Sequence, residues 1–190
     1  RRCHASGVDV FTVDVRRKMN TSDIIIIGAG PGGYETAVEA VRMGLSVTLI
    51  ERGSLGGTCL NRGCIPTKCL CRSAEVARTV AGASAYGVDV SGVSFDYAAA
   101  VARMRSVVST LREGIATLLK GVNLVQGTAR FISSSEVEVE DDGKVIGRYT
   151  APRIIIATGS APSVLPVEGA GLAIDSDAVL AMDILPASAV

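Results

Sequence analysis

The stretch Ile24-Ile25-Ile26-Ile27-Gly28-Ala29-Gly30-Pro31-Gly32-Gly33 decides how this 190-residue chain folds. Four isoleucines in a row show no two-residue alternation, so they predict a strand buried on both faces, as in a parallel sheet covered by helices. The run ends directly in Gly-x-Gly-x-x-Gly, and residues 34–43 continue as a helical segment closed by Gly44. Residues 46–50 read as a second strand, which Glu51 ends. Strand, glycine turn, helix, strand and acid in this order form a dinucleotide-binding βαβ unit. Gly28 allows the tight turn, Gly30 lets the backbone approach a pyrophosphate, and Gly33 lets helix and strand pack closely. The pyrophosphate would sit at the helix N-terminus, where free N–H groups and the dipole favour anions. Glu51 is placed to accept hydrogen bonds from an adenosine ribose.

A second motif follows at once: Gly56-Gly57-Thr58-Cys59-Leu60-Asn61-Arg62-Gly63-Cys64-Ile65-Pro66-Thr67-Lys68. Cys59 and Cys64 can bridge only if their Cα atoms approach within about 7 Å. A regular helix holds positions i and i+5 too far apart, so a bridge requires a distorted turn, which Gly63 and Pro66 would permit. A strained disulfide is easily reduced, which suits a catalytic bond. Two unrelated buried thiols, or half of a metal site, are the rival readings. Zinc sites mostly use closer spacings and a second ligand pair, and the only histidine, His4, is distant in sequence.

Composition narrows the field further. Lysine plus arginine and aspartate plus glutamate number 19 each, and this zero net charge lacks the basic excess of a nucleic-acid footprint. No apolar run reaches the roughly 18 residues that span a bilayer. Five cysteines are an odd number without a secreted framework's spacing, which points to a reducing compartment. Residues 1–20 read as a tag, a read-through segment or a disordered leader: Arg1, Arg2, Arg16, Arg17 and Lys18 are basic, but Asp9, Asp14 and the missing apolar region argue against a targeting peptide.

Downstream, the cysteine stretch leads into a helix through Val80, and Ser94 is the expected N-cap of a long helix over residues 95–119. Its apolar positions Val101, Met104, Val108, Leu111, Ile115 and Leu118 step by three and four along one face. Arg103, Arg105, Arg112 and Glu113 read as solvated surface, and Gly121 as the C-cap. From residue 122 the period becomes two, with a hairpin turn expected at Asp142-Gly143 and with Glu136, Glu138 and Glu140 on an exposed face. Residues 153–157 return to a buried parallel strand, and Thr158-Gly159-Ser160 lie at its carboxyl end, where open α/β sheets bind ligands. Residues 166–190 read as a connection with one short helix near residues 176–182.

Taken together, Ile27 to Gly33, Gly56 to Lys68, and Ile156-Ala157-Thr158-Gly159-Ser160 resemble the FAD half of the pyridine nucleotide–disulfide oxidoreductases. That family includes dihydrolipoamide dehydrogenase, glutathione reductase and mercuric reductase. Leu60 and Ile65 make the cysteine motif most similar to the dihydrolipoamide dehydrogenases. The resemblance implies an α/β, Rossmann-like FAD-binding domain over residues 21–165, with a small antiparallel hairpin layer. It implies FAD bound along Gly28, Gly30, Pro31, Gly32 and Gly33, with the residues from Glu51 to Cys59, among them Arg52, Gly56, Gly57 and Thr58, lining the cofactor. Lys68 would lie near the flavin, Gly127 and Ala129 near the adenine, and Ala157, Thr158, Gly159 and Ser160 over the flavin side.

By the same resemblance Cys59 is the thiol that exchanges with a dithiol substrate, and Cys64 the thiolate that passes electrons to the flavin. The helix N-terminus and Lys68 would depress a cysteine pKa there. The implied reaction takes electrons from a lipoyl-bearing protein of a 2-oxo acid dehydrogenase or glycine cleavage complex through the Cys59–Cys64 disulfide and FAD to NAD. The family's NAD-binding glycine motif, its later glycine-aspartate segment and its interface domain with a His–Glu pair do not occur in this sequence. The chain is therefore expected to be an incomplete piece, with residues 166–190 leading towards an NAD domain. Full-length relatives are expected to be homodimers in the cytoplasm, or in the mitochondrial matrix of a eukaryote. A glutathione- or mercuric-type reductase, or a non-catalytic flavin-binding module, are the alternatives.

Overall fold

In the computed structural model, residues 20–188 are described, and the reading of residues 1–19 as a leader lies outside them. Two four-stranded sheets stack with helices on one side. The first strand, β1 (Asn20–Thr21), starts inside the stretch expected to be leader. After it come β2 (Ile24–Ile27), α1 (Pro31–Arg42), β3 (Val47–Glu51), α2 (Gly57–Arg62) and α3 (Cys64–Ala81). A 3₁₀ turn at Ala83–Tyr86 precedes α4 (Tyr97–Leu118). Strands β4 (Asn123–Gln126), β5 (Thr128–Phe131), β6 (Glu136–Asp141), β7 (Lys144–Thr150) and β8 (Ile154–Ile156) complete the sheets, and α5 (Ser176–Ala181) lies in the tail.

One sheet is wholly parallel in the order β4-β3-β2-β8. Its centre explains the isoleucine run. Ile24 and Ile26 face α1 and α4, packing with Ala37, Ala40, Leu49 and Ile115, whereas Ile25 and Ile27 pack with Ile50, Val125, Val137, Val139 and Tyr149 on the other side. Both faces of β2 are thus apolar because both are covered. Ile25 and Ile26 are fully buried, and each such side chain contributes on the order of 1.5–3 kcal/mol from burial.

The second sheet, β1-β7-β6-β5, is the expected antiparallel layer with β1 added parallel to its edge. Asp142 and Gly143 both take positive φ, 46° and 71°, as a two-residue type I′ turn requires. The long helix differs from expectation at its start. Its N-cap is Asp96, whose carboxylate accepts from the Ala99 N–H at 3.0 Å, so Ser94 lies outside the helix. An Asp at the N-cap satisfies an otherwise orphaned donor.

Glu138 is also not where alternation placed it. It is buried, and in register it stands opposite Arg130 on β5 and Arg148 on β7. Its two oxygens accept from Arg130 Nη2 at 2.9 Å and Arg148 Nε at 2.8 Å. Arg148 first, then Arg130, hold the Glu138 carboxyl below the ordinary glutamate range against the opposing effect of burial. A depressed folded pKa gives stability that is present above the unfolded value and lost as pH falls through the folded one. Urea midpoints should therefore drop on acidification below about pH 4.3, and Glu138→Gln should flatten that part of the profile. An unchanged slope in Glu138→Gln would assign the acid sensitivity elsewhere.

Candidate functional site

The βα turn after β2 is built by glycines that admit no side chain. Gly28 has φ of +102°, and a Cβ there would lie 2.3 Å from the Ala157 carbonyl oxygen. At Gly33 a Cβ would lie 1.8 Å from the Gly28 carbonyl oxygen, so α1 sits as close to β2 as a glycine permits. Pro31 occupies the first turn of α1, where its missing N–H costs nothing. Gly30 is the N-cap and carries no capping side chain, and the first turn of α1 holds no acidic residue. The Gly33 and Tyr34 N–H groups donate back to Gly30 O, both at 2.9 Å. Among the described residues no acceptor meets the N–H of Gly30 or Gly32.

A cleft of about 590 Å³ opens over this helix start, lined by Gly28, Gly30, Pro31, Gly32, Glu51, Arg52, Gly57, Thr58, Cys59, Ala157, Thr158, Gly159 and Ser160. A second hollow of about 370 Å³ shares Gly28, Glu51, Arg52 and residues 158–160 and adds Gly127 and Ala129. Open N–H donors, a helix dipole and an arginine at one cleft fit a pyrophosphate-bearing group. A hollow continuing past Glu51 to β5 leaves room for an elongated ligand. Glu51 itself accepts from Ala29 N at 2.6 Å and Gly53 N at 2.7 Å, one bond per oxygen. Each carboxylate oxygen can accept more than one hydrogen bond, so capacity for ribose hydroxyls is retained. Gly33, Gly56, Cys64 and Lys68 do not line either hollow. Gly33 and Gly56 shape the turn from beneath, the latter donating to Ala29 O at 2.9 Å. Gly53 and Ser54, within the stretch from Glu51 to Cys59 expected to line the cofactor, also line the cleft, as do Asn61 and Arg62, which the sequence did not single out as binding residues.

The cysteine stretch folds as two helices broken at Gly63, whose φ and ψ are −142° and −114°. A Cβ on Gly63 would stand 3.0 Å from Thr58 O and 3.3 Å from Cys59 Cα, so glycine lets α3 begin tightly against α2. Pro66 falls in the first turn of α3 and is fully buried. The expected distortion between the two cysteines is therefore present. Cys59 and Cys64 are free thiols, the reduced form of the expected pair, the former half-buried and the latter exposed.

The depressed cysteine pKa expected beside a helix N-terminus and Lys68 is not found at Cys59. Its thiol is pushed above the ordinary cysteine range, first by its side-chain hydrogen bond with Cys64, then by burial and by the Cys64 charge. A backbone hydrogen bond to Cys64 and the Lys68 ammonium act in the opposite sense without prevailing. A thiol that donates to its neighbour is stabilised in its protonated form. Cys69 is buried with Val101, Met104 and Val108, as a packing residue, and Cys71 is exposed.

Asn61 and Arg112 carry bonds that the sequence reading left out. Asn61 Nδ2 donates to Leu55 O at 2.9 Å and to Gly57 O at 2.8 Å, and its Oδ1 accepts from Arg112 Nε at 2.5 Å. Arg112 is thus not solvated surface. The tail is tied to the helices, because Arg62 pairs with Asp177 at 3.3 Å and Arg105 with Asp183 at 2.6 Å. Among the described residues no helix is long and apolar enough to cross a membrane.

Comparison with known proteins agrees with this geometry. Residues 22–188 match the family described as pyridine nucleotide-disulphide oxidoreductase. The dihydrolipoyl dehydrogenase of Chlorobaculum tepidum is 44% identical over 146 residues, 76% of this chain and 31% of that protein. One from Bacillus subtilis is 39% identical over 175 residues, 88% of this chain and 38% of that protein. A Cu(II) complex of the HOCl-induced flavoprotein disulfide reductase RclA from Escherichia coli superposes with a TM-score of 0.73 at 29% identity, covering 88% of this chain and 36% of that one. The chain spans about a third of the length of these relatives.

Proposed function

Because the chain belongs to the pyridine nucleotide-disulphide oxidoreductase family, we propose that it is the FAD-binding, disulfide-bearing part of a dihydrolipoamide dehydrogenase. One observation carries this reading: the open N-terminus of α1 and the Cys59 thiol face the same cleft. Gly30 and Gly32 would hold the pyrophosphate through their N–H groups, Glu51 the ribose, and Gly127 and Ala129 the adenine end. Arg52 would offset the phosphate charge, and residues 157–160 would close the other wall. When bound, FAD would supply an acceptor for two electrons.

The chain's own chemistry is thiol–disulfide exchange. In the oxidised pair, a thiolate of a dihydrolipoyl group attacks Cys59 Sγ, forming a mixed disulfide while the Cys59–Cys64 bond breaks and Cys64 leaves as thiolate. The second substrate thiolate then attacks its own sulfur in the mixed disulfide, closing the lipoyl ring and releasing Cys59. Two electrons and two protons have left the substrate: the cysteine pair holds both electrons, one proton passes to solvent, and Cys59 takes the other, which its hydrogen bond to Cys64 retains. The lipoyl-bearing protein as partner, NAD as final acceptor and dimerisation belong to the whole protein in this reading.

Flavin fluorescence anisotropy on the full 190-residue chain tests the binding half of the proposal. FAD should bind saturably at one site, and Glu51→Ala should weaken it about ten-fold, the usual worth of a hydrogen bond to a charged group. Unchanged anisotropy across the titration would remove FAD from the reading.

A further inference from the structure

We propose that Asn61 and Arg112 are positioning residues for the cysteine pair, holding Cys59 in register with Cys64 through a bond from α4. The inference rests on the reading of Cys59 and Cys64 as an exchanging pair. Cys59 lies on α2, a helix of six residues with no capping side chain and a glycine at each end. A helix that short does not hold its own shape in water. Asn61, two positions after Cys59, supplies what is missing. Its two amide N–H groups bond the carbonyls of Leu55 and Gly57, tying the last turn of α2 to its first turn and to the loop before it.

Those bonds alone would only make α2 a closed unit. Leu60 anchors α2 in the core by apolar packing, which leaves sliding and rotation open, and Arg112 adds a directional bond to something rigid. Arg112 lies on the 22-residue α4, one turn from Ile115, which is buried beneath α1 and β2. The bond from Arg112 Nε to Asn61 Oδ1 crosses 51 positions of sequence. Cys64 is referenced to the same helix by another route. Its neighbours Ile65 and Cys69 pack on Val101, Met104 and Val108 of α4. Each cysteine is therefore fixed against α4, Cys64 by apolar packing, and Cys59 by the directional Asn61–Arg112 bond added to the burial of Leu60 in the same cluster as Ile115.

Ring closure between two thiols depends on how narrowly their separation is held, the effective-concentration argument of intramolecular reactions. Releasing one of the two attachments should weaken bridging without removing either sulfur. A merely structural bond would lower stability and leave the dithiol–disulfide equilibrium where it was.

The test is that equilibrium, measured on the full chain in glutathione redox buffers by counting alkylated thiols. Arg112→Ala and Asn61→Ala should each lower the constant for bridging about ten-fold, a shift of about 30 mV. Arg112→Lys, which can still donate to Asn61 Oδ1, should recover most of it. Arg105→Ala removes an ion pair from the same helix and should leave the constant unchanged. Arg112→Met, similar in length but without a donor, replaces the alanine variant if that does not fold. A wild-type chain that bridges, with Arg112→Ala and Arg112→Met within two-fold of it, overturns this inference alone. A wild-type chain whose two thiols never bridge overturns the exchange reading and this inference with it.

Discussion

Gly33→Ala should abolish FAD binding and destabilise the chain by about 3 kcal/mol or more, beyond the ordinary cost of overpacking. The new Cβ would stand 1.8 Å from the Gly28 carbonyl oxygen and 2.9 Å from its carbon. Both are backbone atoms, so no side-chain rotation relieves the contact. Gly28 is itself fixed, because it donates to Ile50 O at 2.8 Å and lies against Ala157. The start of α1 would have to lift from β2, which loosens Ala37 and Ala40 in the core and moves the open N–H groups that would face the pyrophosphate. Gly32→Ala makes the control, since nothing lies within 4 Å of its added Cβ and alanine favours a helix over glycine by about 1 kcal/mol. It should fold at least as well as the native chain. Urea midpoints and FAD anisotropy on both variants decide the matter, and a Gly33→Ala chain within 1 kcal/mol of native stability would show that α1 can shift at little cost.

Where physics is local, this chain was readable. The isoleucine run announced a strand covered on both faces, and Ile24 to Ile27 do alternate between two apolar layers. Asp142-Gly143 announced its turn for the same reason, because few residues tolerate its dihedrals. Two of the misreadings depend on partners that only the fold brings together. Glu138 looks like the middle of an exposed acidic face until the register of β5, β6 and β7 sets Arg130 and Arg148 beside it. Arg112 and Asn61 belong to segments 51 positions apart, and no periodicity links them. Ser94 and Asp96 are both cap formers, and only the backbone path favoured Asp96. Cys59 shows the subtler case. A helix N-terminus and a lysine suggested a depressed thiol, but the nearest group is another thiol, and at contact it outweighs the more remote cation. Charge type was legible, whereas the order of distances was not.

That contact gives the cysteine pair its sharpest test. In Cys64→Ser, a small disulfide reagent should leave a mixed disulfide on Cys59 that outlives the native chain's adduct by about a thousand-fold, well below the ceiling that effective molarities set for oriented groups. In the native chain Cys64 resolves such an adduct, attacking Cys59 Sγ and expelling the reagent thiol. Serine has no sulfur with which to do so. Mass spectrometry of the quenched chain reads the adduct directly, with Cys69 and Cys71 serving as internal controls. The pH dependence should change as well. Cys64 supplies the largest influence raising the Cys59 thiol, so its loss should lower the pH at which Cys59 becomes reactive. Because Cys64 is the more exposed sulfur, assigning exchange to Cys59 makes a further demand. Cys59→Ser should take up the reagent at Cys64 more slowly than Cys64→Ser takes it up at Cys59. Equal or faster uptake at Cys64 would exchange the two roles, and a short-lived adduct in Cys64→Ser would mean that the two thiols do not act as a pair.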